Sequence, residues 1–460
     1  EGEDGDEDAL SASEAAAEGE DGDEDALSAS EAAAEGEDGD EELGCASGPP
    51  ISYASEASAH SQKVDPGWRF TTAETSGQPA SRGGVQTLTP MWCRADAPSP
   101  EFVQATAEQL GDPDGGIGAS LVMVFGGAQG GYRHEQSDWA VGVLHEGAGD
   151  EQAKIVWGRP RSDPAGGAEQ PRAPTRRGAH TATYVPARLA GEDKFPEGCV
   201  AVFGGHTDDC TRSLATVDIL DLATWRWHSN YAAPGASNVQ EDQLMRHGHS
   251  STLVEVDGKG YLVCVGGGTG NIIGIAGPRH NNRQDKSDAV VLDVKSWSWV
   301  GLVPLGCPPD VQPPGRHHTA TMGLADQILL FGGGDQPSNS ILVLPADACV
   351  RSALEGDAAS LALREVIVLS KRMPKGRKMH ASACLLPWAP LFIVFGGWET
   401  SAHFQDLWVC ALGTLPSDLQ AFARPSNHWQ AEGPWQSEAT DLMVASSDEE
   451  DEEDEEDEED

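Results

Sequence analysis

The stretch VAVFGGHTDDCTRSLATVDILDLATWRW, residues 200–227, decides the fold. It opens on an apolar run closed by two glycines. A polar loop follows, then an alternating strand, a tight turn and a strand bearing tryptophan. The glycine-closed run recurs as VMVFGG at 122–127, LVCVGG at 262–267, ILLFGG at 328–333 and FIVFGG at 392–397. First glycines stand at 126, 204, 266, 332 and 396, in steps of 78, 62, 66 and 64 residues. Each run is short, rich in β-branched and aromatic residues and ended by glycine, the pattern of a buried strand. The second half recurs too: LDLATWRW at 220–227 is answered by LDVKSWSW at 292–299. Asp followed by Thr or Ser before Trp suits a type I hairpin turn, in which the short side chain bonds its own backbone. These copies lie 72 residues apart and their glycine pairs 62 apart, so the ten extra residues fall in the loop 268–287.

Ahead of the glycine runs stands a third constant element. Arg177-Gly-Ala-His180, Arg246-His-Gly-His249 and Arg377-Lys-Met-His380 share the form RxxH and open an inner strand. In GRHHTA, 315–320, the arginine is displaced by one position, and in the first unit, Arg82-Gly-Gly-Val85, the histidine is missing. Each unit is thus four short antiparallel strands with apolar residues on both faces. One such sheet cannot hide its own faces, but several stacked about an axis hide one another's, which is the logic of a β-propeller.

The inner RxxH, the glycine pair and the outer tryptophan resemble kelch repeats of the kelch and galactose-oxidase central-domain superfamily, over roughly 68–430. The resemblance implies an all-β propeller of six or seven blades. Five are clear here. Trp68 and Trp429 look like outer strands at the two ends. They either build a degenerate sixth blade together, or leave five blades with an extra strand. Unit four lacks the outer tryptophan, and REVIVL at 364–369 takes its place. Propellers of this family mostly bind proteins, as scaffolds or as substrate-recruiting modules, and a minority are enzymes.

The chain has 460 residues and a formal net charge of −45. Residues 1–44 hold 20 acidic residues and no Lys or Arg, and 448–460 are all acidic. Taking those 33 from the 75 acidic residues leaves 42 against 30 basic ones in the middle, so the extreme charge belongs to the ends. EGEDGDEDALSASEAAA at 1–17 is repeated letter for letter at 18–34. Dense like charge with few apolar residues buries too little surface to offset chain entropy. The expected organisation is a disordered acidic segment at 1–62, a propeller at 63–437 and a disordered acidic tail at 438–460. Such a balance argues against direct nucleic-acid or anionic-membrane binding, which needs a basic footprint. No apolar run of about 18 residues offers a membrane span. No leader pattern stands at the start, although the chain opens at Glu1 inside a repeat, which leaves room for a segment upstream. The nine cysteines form no CxxC pair; Cys199, Cys264, Cys384 and Cys410 fall in apolar runs. That pattern fits a reducing, intracellular compartment, cytoplasmic or nuclear.

The glycine pairs are not phosphate cradles, because strands rather than helix N-termini follow them. His180, His249, His318 and His380 would all start inner strands near the channel mouth. Imidazoles in such a place could ligate a metal, but the resemblance implies that each bonds loop backbone within its own blade. A copper radical oxidase needs a Tyr–Cys pair, and none of the five tyrosines stands in a matching motif. No cofactor is expected. Basic residues gather in the loops of one face: Arg279, His280, Arg283 and Lys286 after the third glycine pair, Lys371, Arg372, Lys375, Arg377 and Lys378 entering blade five, and Arg176 entering blade two. With Trp398 as an aromatic anchor, they are expected to capture a protein partner through an acidic motif, since Arg grips carboxylates with a bidentate fork. The acidic tails could contact basic proteins, and Ser446 and Ser447 precede acidic residues in the pattern of acidophilic kinases. The functional expectation is a non-catalytic interaction scaffold or recruiting module. The alternatives are a ubiquitin-ligase substrate receptor with its adaptor domain upstream, and a propeller enzyme acting on a small sugar-like or carboxylate substrate.

Overall fold

The computed structural model describes residues 74–76, 86–91, 96–112, 118–127, 139–145, 153–161, 173–207, 213–232, 239–270, 284–309, 311–323, 326–334, 336–357, 359–365, 374–384, 391–399, 402–404, 406–411 and 441–442. They form five antiparallel blades arranged as a β-propeller. Blade one uses β1 (Glu74–Ser76), β2 (Thr87–Pro90), helix α1 (Pro100–Gln109), β3 (Ser120–Phe125), β4 (Trp139–His145) and β5 (Lys154–Gly158). Blade two uses β6 (Thr181–Val185), α2 (Ala187–Ala190), β7 (Cys199–Phe203), β8 (Val217–Asp221) and β9 (Arg226–His228). The short helix α3 (Glu241–Leu244) leads into blade three, with β10 (Ser250–Val256), β11 (Lys259–Val265), the small hairpin β12 (Gly268–Thr269) and β13 (Gln284–Asp285), β14 (Asp288–Asp293) and β15 (Ser298–Gly306). Blade four comprises β16 (Thr319–Met322), β17 (Gln327–Phe331), β18 (Ile341–Pro345) and, after α4 (Ala346–Glu355) and a strand β19 (Leu361–Ala362) that returns to the sheet of blade three, β20 (Arg364–Glu365). Blade five comprises β21 (Ala381–Cys384), β22 (Leu391–Phe395), β23 (Trp398–Glu399), β24 (Ala402–His403), β25 (Leu407–Ala411) and β26 (Asp441–Leu442).

From axis to rim the sheets run β2-β3-β4-β5-β1, β6-β7-β8-β9, β10-β11-β14-β15-β19, β16-β17-β18-β20 and β21-β22-β25-β26. The rim departs from simple antiparallel order: β1 joins β5, β19 joins β15 and β26 joins β25 in parallel. The two terminal strands thus extend the first and last blades rather than pairing in a sixth. Trp68 and Trp429, the sequence candidates for rim strands, lie outside the described residues, as do 1–62 and all of the tail except 441–442. In blade four β20 stands where the sequence placed REVIVL, and 366–369 are not described.

The hairpin turns form as their sequence suggests. Asp221 accepts from the Ala223 N–H at 3.0 Å and the Thr224 hydroxyl at 2.6 Å. Asp293 accepts from the N–H groups of Lys295 and Ser296 at 2.8 and 2.9 Å. Trp225 and Trp297 close these turns with φ of 53° and 54°, left-handed values that a bulky residue adopts only when its ring is held. Here it is: Trp225 stacks on Phe102 of α1 at 5.4 Å, and Trp297 meets Phe195 and Tyr231 edge-on at 6.0 and 5.8 Å. The apolar cores lie between blades. One cluster joins blades one and two, a second two and three, a third three and four, a fourth four and five. Each aromatic or branched aliphatic side chain buried there contributes about 1.5–3 kcal/mol, so a blade is stable only through its neighbours.

Candidate functional site

The recurring RxxH arginines are interior struts. Arg177 reaches Asp218 at 2.5 Å, Arg246 reaches Asp288 at 3.0 Å and Arg377 reaches Asp406 at 2.6 Å, all three guanidiniums being fully buried. Each also donates to the carbonyl of the first glycine in its own blade's pair: Gly204 at 3.2 Å, Gly266 at 3.1 Å and Gly396 at 2.9 Å. Their own carbonyls accept from the preceding blade, through the N–H groups of Gly127, Gly205 and Gly333 at 3.1, 2.9 and 2.9 Å. Arg377, counted among the partner-binding cations in the sequence reading, is therefore not at the surface.

The histidines bond across blade boundaries, and His318 also bonds loop backbone within its own blade, as the family resemblance implied, its Nδ1 lying 2.6 Å from the Gly315 carbonyl. His180, His249, His318 and His380 bond the hydroxyls of Thr87, Thr181, Ser250 and Thr319 in the preceding blade, at 3.1, 3.0, 2.8 and 2.7 Å. Three present a ring to the aromatic that ends the preceding glycine strand: Phe125 to His180, Phe203 to His249 and Phe331 to His380, at 5.1, 4.8 and 5.3 Å. Burial pushes His249 well below its ordinary value, His318 down to about 4 and, with Arg377 nearby, His380 to about 3, which holds these three imidazoles neutral. Among the described residues no three His, Cys, Asp or Glu side chains gather at metal-binding distance. The six described cysteines are free, and burial raises those of Cys264, Cys349 and Cys410 to about 11, 12 and 12, so they behave as small hydrophobes. No described helix is long and apolar enough to cross a membrane.

Around the axis a different set gathers, of which Met379 is exposed while Ala179 and Gly248 are buried. The residue before each inner histidine has a left-handed backbone: Ala179, Gly248, His317 and Met379, at φ 51°, 62°, 64° and 54°. Their backbones link in series, Gly248 N–H to Ala179 carbonyl at 2.7 Å, His317 to Gly248 at 2.6 Å and Met379 to His317 at 3.1 Å. At Gly248 a Cβ would strike the His317 ring at 2.9 Å, so this position needs glycine twice over. One residue further out, backbone bridges tie each entering segment to a loop after a glycine pair: Gly178 with His206, His247 with Gly268, Lys378 with Trp398. Entering segments and post-glycine loops of blades two, three and five therefore share one face.

That face carries an aromatic ring and cations, with the imidazoles of His206 and His247 buried. His206 and His247 lie 5.6 Å apart, His247 and His317 6.3 Å apart. Lys378 Nζ stands 4.8 Å over Trp398, whose indole N–H donates to Met379 Sδ at 3.1 Å. Withdrawal from water, then Arg316, His206 and Lys378, drive His317 down to about 3. Arg176 and Lys375 are exposed on the same entering segments. Lys286 turns inward instead, its ammonium donating to the carbonyls of Asp242 and Gln243 at 3.2 and 3.0 Å. Arg279, His280, Arg283, Lys371, Arg372, Ser446 and Ser447 lie outside the described residues. Sequence reading missed His206, His247 and His317; only the doubled histidines in RHGH and GRHH hinted at them.

No known family profile matches the chain, and no curated protein does. Loose structural likenesses exist. A chain of the RAG complex with one melted and one unmelted RSS shares 10% identity over 72% of this chain and 82% of its own, with a TM-score of 0.39. The GH93 α-L-arabinofuranosidase of Fusarium graminearum with arabinobiose shares 12% identity, 60% and 71% coverage and a TM-score of 0.33. A fungal alcohol oxidase of the AA5 family, in complex with copper, shares 12%, 68% and 67%, and 0.27. No residue role passes from any of them to this chain.

Proposed function

We propose that this protein is a non-catalytic interaction propeller of the kelch type, which captures an acidic segment of a protein partner on its loop face. The kelch reading rests on the RxxH motif, the glycine pair and the rim tryptophan acting together in blades two and three. The partner reading rests on one observation. A protein of net charge −45 brings Arg176, Lys375, Lys378 and Trp398 to the face that surrounds its axis. Loops on a rigid scaffold are where recognition residues concentrate. Carboxylates suit this set, since Lys and Arg bond them with charge assistance and an aromatic ring supplies an anchor.

The test uses the whole chain and a fluorescent peptide with the sequence of 448–460 as a carboxylate-rich probe. Binding should weaken with added salt and fall about tenfold or more when Arg176, Lys375 and Lys378 are changed together to Glu. A triple variant with an unchanged melting temperature that binds as well as the parent would overturn the proposal.

A further inference from the structure

One side chain on the loop face carries chemistry that acid capture does not use. Among the described methionines, Met91 and Met123 are 1% and 0% exposed, and Met245 and Met322 are half-buried, whereas Met379 is 38% exposed. Access to solvent governs which thioethers meet an oxidant. The backbone sets this exposure. Met379 stands at the left-handed position before the inner histidine, φ 54°, and its N–H donates to the His317 carbonyl at 3.1 Å. Ala179, Gly248 and His317 fill that position in blades two, three and four, while blade five has the thioether.

The sulfur is tied to the face around it. The Trp398 indole N–H donates to Met379 Sδ at 3.1 Å, and this bond lies at the surface. Next to it, Lys378 and Trp398 exchange both backbone N–H···O bonds, each at 3.0 Å. The indole ring is held as well, with Lys378 Nζ 4.8 Å from its centroid and the His403 ring stacked at 6.2 Å. A thioether sulfur is a weak acceptor with two lone pairs. One takes the indole hydrogen, and the other stays free to react.

We propose that Met379 is a modification site, oxidised by hydroperoxides to the sulfoxide, and that this oxidation loosens the capture of acidic segments. The free lone pair attacks one oxygen of hydrogen peroxide. The S–O bond forms as the O–O bond breaks, and the departing hydroxide takes the proton of the transferred hydroxyl and leaves as water. Sulfur loses two electrons and the peroxide gains them. The new oxygen is polar and accepts hydrogen bonds more strongly than sulfur. With sulfur and indole nitrogen 3.1 Å apart there is no room for it in line between them, and the double bridge keeps the backbone from giving way. The ring turns instead, which takes the aromatic anchor from Lys378 and sets a competing acceptor beside that ammonium. The loss of capture rests on the loop-face reading; the oxidation and the turn of the ring do not.

Dilute hydrogen peroxide on the whole chain tests it. By peptide mass spectrometry, Met379 should gain one oxygen at least about tenfold faster than Met91 and Met123. An equal rate overturns the proposal. With fluorinated tryptophan incorporated throughout, the Trp398 fluorine signal, assigned from Trp398→Phe, should shift when the parent is oxidised and stay in place when Met379→Leu is treated alike. Each protein is then titrated with the acidic 448–460 peptide before and after peroxide. The parent should lose about threefold or more in affinity and regain it after treatment with the two sulfoxide reductases, one for each epimer. Met379→Leu should keep its own starting affinity. An equal change in both proteins, tighter binding by the oxidised parent, or an unmoved Trp398 signal overturns the proposal. If the unoxidised parent captures no peptide, the loop-face reading falls and takes the loss of capture with it, while the oxidation rates and the fluorine signal still decide the modification site.

Discussion

The boundaries between blades one and two and between two and three solve their packing differently from the boundary between three and four. At the first two, a phenylalanine ends the glycine strand and meets a tryptophan and a histidine of the next blade. Phe125 lies 5.2 Å from Trp227, and Phe203 lies 4.9 Å from Trp299. At the third, Val265 replaces the phenylalanine and blade four has no rim tryptophan. Helix α4 fills the volume with Ala346, Cys349, Val350 and Ala353. The charges follow suit. Blades two and three bury Arg177 with Asp218 and Arg246 with Asp288, while blade four has Gly315 in place of the arginine and Ser340 in place of Asp288. Its arginine, one residue later, leans toward the loop of blade three and pairs with Asp285 at 2.6 Å. Partners are thus kept or replaced as pairs, because half of a buried pair is costlier than none.

The sharpest way to break this comparison is to remove one acid. Asp218→Ala should cost about 3–5 kcal/mol by urea denaturation, since it strands a buried guanidinium. Ser340→Ala, at the matching edge of blade four, should cost no more than about 1 kcal/mol. Equal costs would mean that the ion pair is not what distinguishes the blades.

Packing offers a somewhat smaller test. Val265→Phe restores the aromatic of the other boundaries where α4 already occupies the space, and overpacking of this kind costs about 1–3 kcal/mol. A neutral result would show that the helix leaves room and does not stand in for the missing tryptophan.

How much of this could be read beforehand follows from where periodicity survives. The glycine pairs, RxxH and the Asp turns recur because each meets the same local demand in every blade. The arginine partners do not recur at one spacing. Asp218, Asp288 and Asp406 lie 41, 42 and 29 residues from their arginines, because intervening loops differ in length. Helix α4 was missed although Pro345 precedes it and Gly356 ends it at φ 68°, since it replaces a motif that the repeat led one to expect. The loop-face candidates divided for a similar reason: composition located the cations but could not tell Arg377, which is buried, from Lys375, which is exposed.

The histidines should not distinguish the boundaries, and acid tests that. An imidazole depressed in the folded state stays neutral while the unfolded chain takes up a proton. Stability is therefore full above about pH 6.5 and falls as pH drops toward the folded value, by about 1.4 kcal/mol per pH unit for each such group. With His318 at about 4 and His380 at about 3, urea midpoints should decline steadily from pH 6.5 to 4. His318→Gln should flatten the decline by one histidine's share. An unchanged slope would mean that the boundary between blades three and four does not keep its imidazole neutral.

The smallest effect on stability should come from the cations two residues apart at the entrance to blade five. Arg377 is the buried partner of Asp406, and its guanidinium also lies 4.3 Å from the Phe404 ring. Lys375 is exposed. Arg377→Glu sets two carboxylates against each other in the interior and should prevent folding or cost upward of about 3 kcal/mol. Lys375→Glu should stay within about 0.5 kcal/mol of the parent and still weaken the acidic probe. Thermal melts and probe titrations on the two variants thus separate strut from recognition surface. If Lys375→Glu destabilised the propeller as Arg377→Glu should, the loop face would be part of the frame and the capture proposal would lose its freest cation.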